Sequence, residues 1–282
     1  GDEYYLASVA DKVIAPPQAW VGQIGKGVSI IRTRKLLDKL GIDWIVMTKG
    51  KFKDSFSPYR SGFSKDQKAE AESIIGDIFR QIANDIGTSR KIPVSQLKSY
   101  ADGLPISAER AKQLNLIDEI GFLSDAKALC ARLLGQKGDP KLVSSSDLTS
   151  EFEYEGMIVP WVPKVALIEI EGDITTGKSG DNLLMGGRWA GADTVVEQLK
   201  DARDNPFVRA IIIRINSPGG STIASNQIYK ALMDIRRDKD NKKVIVASMG
   251  DIAASGGYYI AAAADKIVAD PSTITGSIGI IG

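Results

Sequence analysis

RAIIIRINSPGGS, residues 209–221, places a run of branched apolar residues directly before a proline and two glycines. A second stretch, KKVIVASMGDIAASGG at 242–257, repeats this order of apolar residues followed by small ones. Short apolar runs without alternation are typical of strands buried on both faces of a sheet. The intervening segment, 225–241, has apolar residues at helical spacing. This alternation predicts βαβ units and an α/β fold with largely parallel sheets flanked by helices.

The same alternation extends towards the N-terminus. KVALIEIEG at 164–172 predicts a strand, and TVVEQLKDARDNP at 194–206 predicts a helix with Asp193 as its N-cap. WIVMT at 44–48 is a further apolar strand candidate, followed by a basic loop.

Serine caps predict three more helices. Ser64 and Gln67 have the spacing of a capping box at the start of a helix over about 65–87. Ser107 is predicted to cap a short helix, and Ser124 one that carries Cys130. Because the latter helix is amphipathic, we expect Cys130 to be a buried structural thiol, and a single cysteine excludes an intrachain disulfide.

One segment occurs twice. Tyr4–Ala15 and Tyr258–Ala269 are identical at seven of twelve positions, but Ser255-Gly256-Gly257 is replaced by Gly1-Asp2-Glu3 in the first copy. The separation of 254 residues predicts a tandem duplication of a whole domain rather than a short-period solenoid. We assign 1–135 to the later part of a first repeat, the polar, serine-rich stretch 136–162 to a connection, and 163–282 to the earlier part of a second repeat.

Composition excludes several classes of protein. The chain has 282 residues and a formal net charge of +1, from 36 basic and 35 acidic residues, which argues against binding nucleic acid through a broad basic face. No apolar run approaches the roughly 18 residues of a membrane span. The start shows no signal peptide, and because it falls within a repeat we expect a natural N-terminal extension to be missing.

The chain contains no histidine. This absence excludes Ser-His-Asp and Cys-His catalytic sites and any metal site that depends on histidine ligands. A hydrolytic site in this chain must therefore take its proton acceptor from another residue type.

Two glycine loops are candidates for chemistry. Ser255 follows a strand and begins a helix of small residues, where the N–H groups of Gly256 and Gly257 are free to bind an anion. An acyl-transfer nucleophile with an adjacent oxyanion donor needs this arrangement, although Ser255 can also be an ordinary N-cap. The loop at 217–221 also follows a strand and could add a second amide, or it is simply a tight turn.

Together these motifs carry a resemblance that covers essentially the whole chain. RINSPGGS, SMGDIAASGGYYIAAAADKIVADPSTITGSIGIIG, ISAERAKQLNLIDEIG and KGKFKDSFSPY resemble the signal peptide peptidase A (protease IV) family of the long, tandem-duplicated type. That family has the ClpP/crotonase-like superfold. The caseinolytic protease branch of the superfold uses a histidine base, which this chain cannot supply.

The resemblance implies a Ser-Lys dyad divided between the repeats. It makes Ser255 the nucleophile and Lys53 the general base, with Lys49 and Lys51 as nearby alternatives that the residues themselves do not exclude. Ser277 in TGSIG is implied to orient the lysine amine. The implied oxyanion donors are the N–H groups of Gly256 and of Gly220, with Gly219 as the alternative to Gly220. The mechanism needs no metal and no organic cofactor.

The implied function is that of a serine endopeptidase that degrades cleaved signal peptides through an acyl-enzyme. Family resemblance also implies a ring- or dome-like homo-oligomer on the extracytoplasmic side of a membrane, held there by a segment absent from this chain.

Two alternatives to this function stay open. A crotonase-type acyl-CoA hydratase or thioesterase would use the same two amides, but neither SPGGS nor AASGGYY contains the glutamate that such enzymes commonly use. In the other, the protein is an assembly scaffold whose first repeat has decayed.

Overall fold

The computed structural model describes residues 1–138, 140, 142–143, 163–181 and 187–281. The chain forms two compact units, Gly1–Ile30 with Ser64–Met157 and Ile31–Phe63 with Ile158–Gly282. We call them the first and second units. The connection predicted at 136–162 lies mostly outside the described residues. Within the described part, none of the helices is long and apolar enough to cross a membrane.

The first unit is mainly helical. Its elements in chain order are α1 (Asp2–Ala7), β1 (Ile14–Ala15), β2 (Trp20–Gly22), α3 (Lys65–Arg90), α4 (Val94–Lys98), β4 (Pro105–Ser107), α5 (Ala108–Gln113), β5 (Glu119–Ile120) and α6 (Leu123–Leu133). Strand β1 pairs in parallel with β5, and β2 pairs antiparallel with β4. The long helix α3 packs its buried Ala83 and Ile86 into an apolar core around Leu97 and Leu116.

The second unit contains the parallel sheet that the sequence predicts. Its elements are α2 (Arg34–Lys39), β3 (Thr48–Lys49), β6 (Lys164–Glu171), β7 (Asp173–Thr175), β8 (Gly180–Asp181), β9 (Arg188–Gly191), α7 (Ala192–Asp204), β10 (Val208–Ser217), α8 (Thr222–Arg237), β11 (Val244–Ala254), α9 (Gly256–Ala261), β12 (Lys266–Val268), β13 (Ile274–Gly276) and β14 (Ile280–Ile281). The main sheet runs β12-β11-β10-β6, with β13 also paired to β11, and every one of these pairs is parallel. This confirms the predicted α/β class.

The core of the second unit lies between this sheet and its helices. Ile211, Ile213 and Ile215 of β10 are fully buried against Ile228 and Leu232 of α8. Because side chains alternate along a strand, the isoleucines at odd positions pack under the helices and fix the register of β10. The loops that follow β10 and β11 are thereby held at the same edge of the sheet.

The repeated segment has the same local structure in both copies. Helix α1 and helix α9 cover equivalent residues, as do strands β2 and β13. The left-handed backbone also recurs: φ is 87° at Gly22 and 84° at Gly276, and 51° at Gln23 and 49° at Ser277. These correspondences are compatible with the predicted tandem repeat, whose boundaries stay a prediction.

Some local predictions are confirmed. Helix α3 begins after Ser64, whose side chain accepts the Gln67 N–H while the Gln67 side chain accepts the Ser64 N–H, so the capping box is present. Ser107 likewise caps α5 by accepting the Arg110 N–H.

Other cap predictions are wrong. Helix α6 begins at Leu123, because the Asp125 carboxylate accepts the Phe122 N–H, and Ser124 therefore lies inside the helix. The N-cap of α7 is Gly191, and Asp193 lies in the first turn. An acidic residue in the first turn interacts favourably with the helix dipole, so Asp193 stabilises the start of α7 without being its cap.

The burial predicted for Cys130 and most of the strand predicted at 44–48 are not found. Cys130 is exposed, because α6 buries Leu129 and Ala131 and turns the intervening residue outwards. In the predicted strand WIVMT, only Thr48 enters a strand; it pairs with β14, whereas Trp44, Ile45 and Met47 are exposed. Among the described residues, the strand pairing of this run is limited to Thr48.

Candidate active site

Ser255 lies where strand β11 passes directly into helix α9. Its backbone has φ 52° and ψ −115°, a conformation that is rare for any residue except glycine. Although Ser255 is the N-cap residue of α9, its side chain makes no capping hydrogen bond. Ser255 is therefore the cap of α9 by position only, and its Oγ is not used for capping.

The glycine loop after β10 lies against Ser255. Gly219 and Gly220 have φ of 110° and 149°. A Cβ added to Gly219 would come within 2.8 Å of both the Ser255 Cβ and the Gly256 N, and one added to Gly220 would collide with the Ile174 carbonyl. Both positions therefore need glycine, because any side chain would push the loop away from the serine.

The backbone amides of this loop differ in availability. The Gly219 N–H donates to Ser217 Oγ at 3.1 Å. On either side of Gly220, the Gly219 carbonyl and the Ser221 N–H bond to Ile174 of β7, each at 2.8 Å, so the Gly220 N–H points away from that strand. Within the described residues, neither this N–H nor that of Gly256, the first residue of α9, donates to a protein acceptor.

Lys53 belongs to the second unit and reaches Ser255 directly. Its Nζ lies 2.8 Å from Ser255 Oγ. The turn that carries Lys53 follows β3, and β3 pairs with β14, which begins three residues after Ser277. Of the alternatives, Lys51 has its Nζ 5.2 Å from the centre of the Phe52 ring, and Lys49 lies within β3 and lines the cavity beside Ser255.

Ser277 supplies two further oxygens to the Lys53 amine. The Nζ lies 2.7 Å from the Ser277 carbonyl oxygen and 3.2 Å from its Oγ. Burial lowers the pKa of the Lys53 amine below its ordinary value, because desolvation disfavours the charged form. The structure thus brings Lys53, Ser255 and Ser277 together at one point, with three oxygens around a single nitrogen.

A cavity of about 640 Å³ opens beside Ser255. Its lining is mostly apolar, and among the described lining residues only Lys49 is charged. The ring of Tyr259 in this lining is held by stacking on Tyr229, with ring centres 4.5 Å apart, and by a 3.0 Å hydrogen bond to Asn226 Oδ1. The other lining residues are Gly50, Gly220, Thr222, Ser225, Ser255, Gly256, Tyr258, Ala262, Ile278, Gly279 and Ile280.

Two features of the site were not found from the sequence. Ser217 occupies the Gly219 amide, and the Gly276 carbonyl accepts the Ser255 N–H at 2.8 Å. Ser217 lies within the motif INSPGGS, but its sequence position does not show which amide it binds. For the described residues, no cluster of acidic or cysteine side chains could hold a metal ion.

Comparison with known proteins points to one family. Protease 4 of Haemophilus influenzae is 33% identical over 291 residues, covering 99% of this chain and 46% of that protein. The chloroplastic serine protease SPPA of Arabidopsis thaliana is 27% identical over 287 residues, covering 99% of this chain and 41% of that protein. A putative signal peptide peptidase SppA of Enterococcus faecium is 31% identical over 137 residues, covering 49% of this chain and 38% of that protein.

Almost the whole chain thus spans less than half the length of the Haemophilus and Arabidopsis relatives. Independently of them, residues 2–137 and 237–282 match the profile of Peptidase family S49. Both Lys53 and Ser255 fall within the matched ranges. On this evidence the chain belongs to Peptidase family S49.

Proposed function

We propose that this chain carries a serine peptidase site in which Ser255 is the nucleophile and Lys53 is the general base. The observation that carries the proposal is the 2.8 Å contact between Lys53 Nζ and Ser255 Oγ in a chain without histidine. A nucleophile and a base within hydrogen-bond reach are the signature of covalent catalysis by serine.

The surroundings of Lys53 suit a base. A neutral amine has two N–H donors and one lone pair. When the two oxygens of Ser277 accept both N–H groups, the lone pair is left to accept the Ser255 O–H. Because burial lowers the pKa of the amine, a larger fraction of it is neutral at a given pH than for a lysine in water. In this scheme Ser277 orients the base.

Acylation and deacylation then follow with balanced proton transfers. As Ser255 Oγ bonds to the peptide carbonyl carbon, its proton passes to Lys53, and the N–H groups of Gly220 and Gly256 stabilise the oxyanion. Collapse breaks the C–N bond, and Lys53 returns the proton to the departing amine. A water molecule next attacks the ester, giving its proton to the neutral Lys53, which passes it to the Ser255 oxygen as the acid product leaves.

We infer that the substrates are cleaved signal peptides. The support is the apolar cavity beside Ser255, which contains no acidic side chain among its described lining residues to pair with a basic substrate residue. Burial of an apolar peptide segment in such a cavity stabilises the complex by roughly 25 cal/mol per Å² of apolar surface buried. The Enterococcus faecium relative, named a putative signal peptide peptidase, fits the same substrate class.

The test compares single-residue variants on two substrates. We expect Ser255→Ala to abolish hydrolysis of a synthetic signal peptide, whereas Ser272→Ala, which alters an exposed serine outside the site, retains it. A polar peptide of equal length should be cleaved more slowly by the wild type. Full hydrolysis by Ser255→Ala would refute the proposed nucleophile, and equal rates on the two peptides would refute the proposed substrate class.

The same experiment separates the peptidase from the two other functions. An acyl-CoA hydratase or thioesterase would turn over acyl-CoA and leave the peptide intact, and a scaffold would do neither. Ring-like self-assembly and a location on the extracytoplasmic side of a membrane stay predictions, and light scattering on the purified protein tests the first of them.

A further inference from the structure

The nucleophile is held in its unusual backbone conformation by a short strand. Ser255, at φ 52° and ψ −115°, donates its N–H to the Gly276 carbonyl at 2.8 Å. Gly276 is the last residue of β13, a strand of three residues that pairs only with β11 among the described strands. Anything that shifts β13 along or away from β11 therefore moves the hydrogen-bond acceptor of Ser255.

The same strand also leads directly to the partner of the lysine. Ser277 follows Gly276, and its two oxygens bind Lys53 Nζ. Both residues have left-handed backbones, with φ of 84° and 49°, so the chain turns out of the sheet at this point. This three-residue strand and the residue that follows it thus contact both Ser255 and Lys53.

Burial contributes little to holding β13 in place. Its first residue, Ile274, is 45% exposed, and no residue of the strand belongs to the core. Thr275, at its centre, instead donates its Oγ1–H to the Ala253 carbonyl at 2.8 Å and lies 3.6 Å from Met249 Sδ. Ala253 and Met249 are both buried in the core, so this hydroxyl ties β13 to the rigid part of the unit.

We propose that Thr275 is a positioning residue, which holds β13 so that Ser255 and Lys53 meet. This inference rests on the proposed function, since it assigns Thr275 a role in that same site. Thr275 touches neither the reacting serine nor the amine and acts through the Gly276 and Ser277 oxygens. A misplacement on the order of 1 Å in such a site can cost about 100-fold in rate, so one side-chain hydrogen bond is enough to matter.

The chain offers a matched control. Thr273 Oγ1 donates to the Gly250 carbonyl, also at 2.8 Å and also on β11, but five residues before Ser255, and it accepts the Asp270 N–H at 3.1 Å. Thr273→Val and Thr275→Val each remove a hydroxyl that donates to a β11 carbonyl, and Thr273→Val also removes the acceptor of the Asp270 N–H. If the two hydroxyls were merely structural, Thr273→Val would therefore lower activity at least as much as Thr275→Val.

The experiment measures how fast a fluorophosphonate probe labels Ser255 in the intact protein, together with kcat and KM for a peptide substrate. We expect Thr275→Val to lower the labelling rate and kcat by about 10- to 100-fold with little change in KM. Thr275→Ser, which keeps the hydroxyl, and Thr273→Val should stay close to the wild type.

Several results would overturn the proposal. Wild-type labelling of Thr275→Val, or an equal loss in Thr273→Val, would show that the Thr275 hydroxyl has no special place in the site. Circular dichroism is recorded for each variant, and a Thr275→Val protein that is unfolded at the assay temperature would make the residue structural. A wild-type protein that is folded but unlabelled would instead refute the proposed function.

Discussion

Replacing Lys53 by methionine tests the proposal that the Lys53 amine is the general base. Methionine keeps most of the length and apolar character of the lysine side chain but removes the nitrogen that lies 2.8 Å from Ser255 Oγ. General-base catalysis by a positioned side chain contributes about 10²- to 10⁴-fold in rate. We therefore expect kcat/KM to fall by that factor, equivalent to about 3–5 kcal/mol of transition-state stabilisation.

The pH dependence of kcat/KM tests whether the Lys53 amine is the group that accepts the serine proton. The base must be neutral to accept the serine proton, so kcat/KM of the wild type should rise with pH and reach half its maximum at the pKa of Lys53. Burial lowers that pKa, so the midpoint should fall below 10.5, the ordinary value for lysine. In Lys53→Met, kcat/KM should not show this rise with pH.

Stability should respond in the same pH range. Because the pKa of Lys53 is lower in the folded than in the unfolded chain, the folded state binds fewer protons between the two values. The free energy of unfolding of the wild type therefore gains a contribution that grows as pH rises towards 10.5 and is absent below the folded pKa. Lys53→Met lacks this contribution, so its stability relative to the wild type should be highest near neutral pH and should decline as pH rises.

The assay uses initial rates on a fluorogenic peptide across pH, with urea unfolding of the same samples. Lys51→Met is the matched control, since it removes an amine two residues away that does not contact Ser255, and it should keep nearly full activity. The reasoning would be refuted by Lys53→Met retaining activity close to that of Lys51→Met, or by a wild-type midpoint at or above 10.5.

Two further substitutions probe the other parts of the site. Ser277→Ala removes one of the two Ser277 oxygens around the Lys53 amine and leaves the carbonyl. We therefore expect kcat for peptide hydrolysis to fall by about one order of magnitude, less than in Lys53→Met. A loss as large as that of Lys53→Met would contradict the view that the Ser277 hydroxyl is only one of two groups that orient the amine. Gly220→Ala places a Cβ against the Ile174 carbonyl at a φ of 149°, so both peptidase activity and stability should fall. Urea unfolding should show a loss of about 1–3 kcal/mol in the free energy of unfolding. An unchanged midpoint of urea unfolding would contradict the requirement for glycine.

Local features of the structure were accessible from the sequence because their causes are local. The capping box at Ser64 and Gln67 depends on residues three apart, and the buried strand β10 depends on a run of branched apolar residues. Predictions failed where a distant neighbour decides the outcome. Cys130 is exposed because α6 buries Leu129 and Ala131 instead, and of the run WIVMT the structure describes only Thr48 as part of a strand.

Some features of the candidate site were likewise visible in the sequence, and others appeared only in the structure. A serine before two glycines at a helix start, a second glycine loop after a buried strand, and the absence of histidine were visible in the sequence itself. The choice of Lys53 over Lys49 and Lys51 came from a family resemblance, and the residues alone did not make it. In the structure it is the Nζ of Lys53, carried by the turn after β3, that lies 2.8 Å from Ser255 Oγ.

The sequence by itself determined the α/β class, the two glycine loops and the need for a base other than histidine, because composition and short-range periodicity decide these. The tertiary structure alone decided that Lys53 Nζ meets Ser255 Oγ across 202 residues of chain, and that the amide of Gly219 donates to Ser217 whereas that of Gly220 has no acceptor among the described residues. Those outcomes depend on strand register, on left-handed backbone angles and on hydrogen bonds such as that from Ser255 to Gly276. Such contacts arise only when segments far apart in the chain are packed against one sheet.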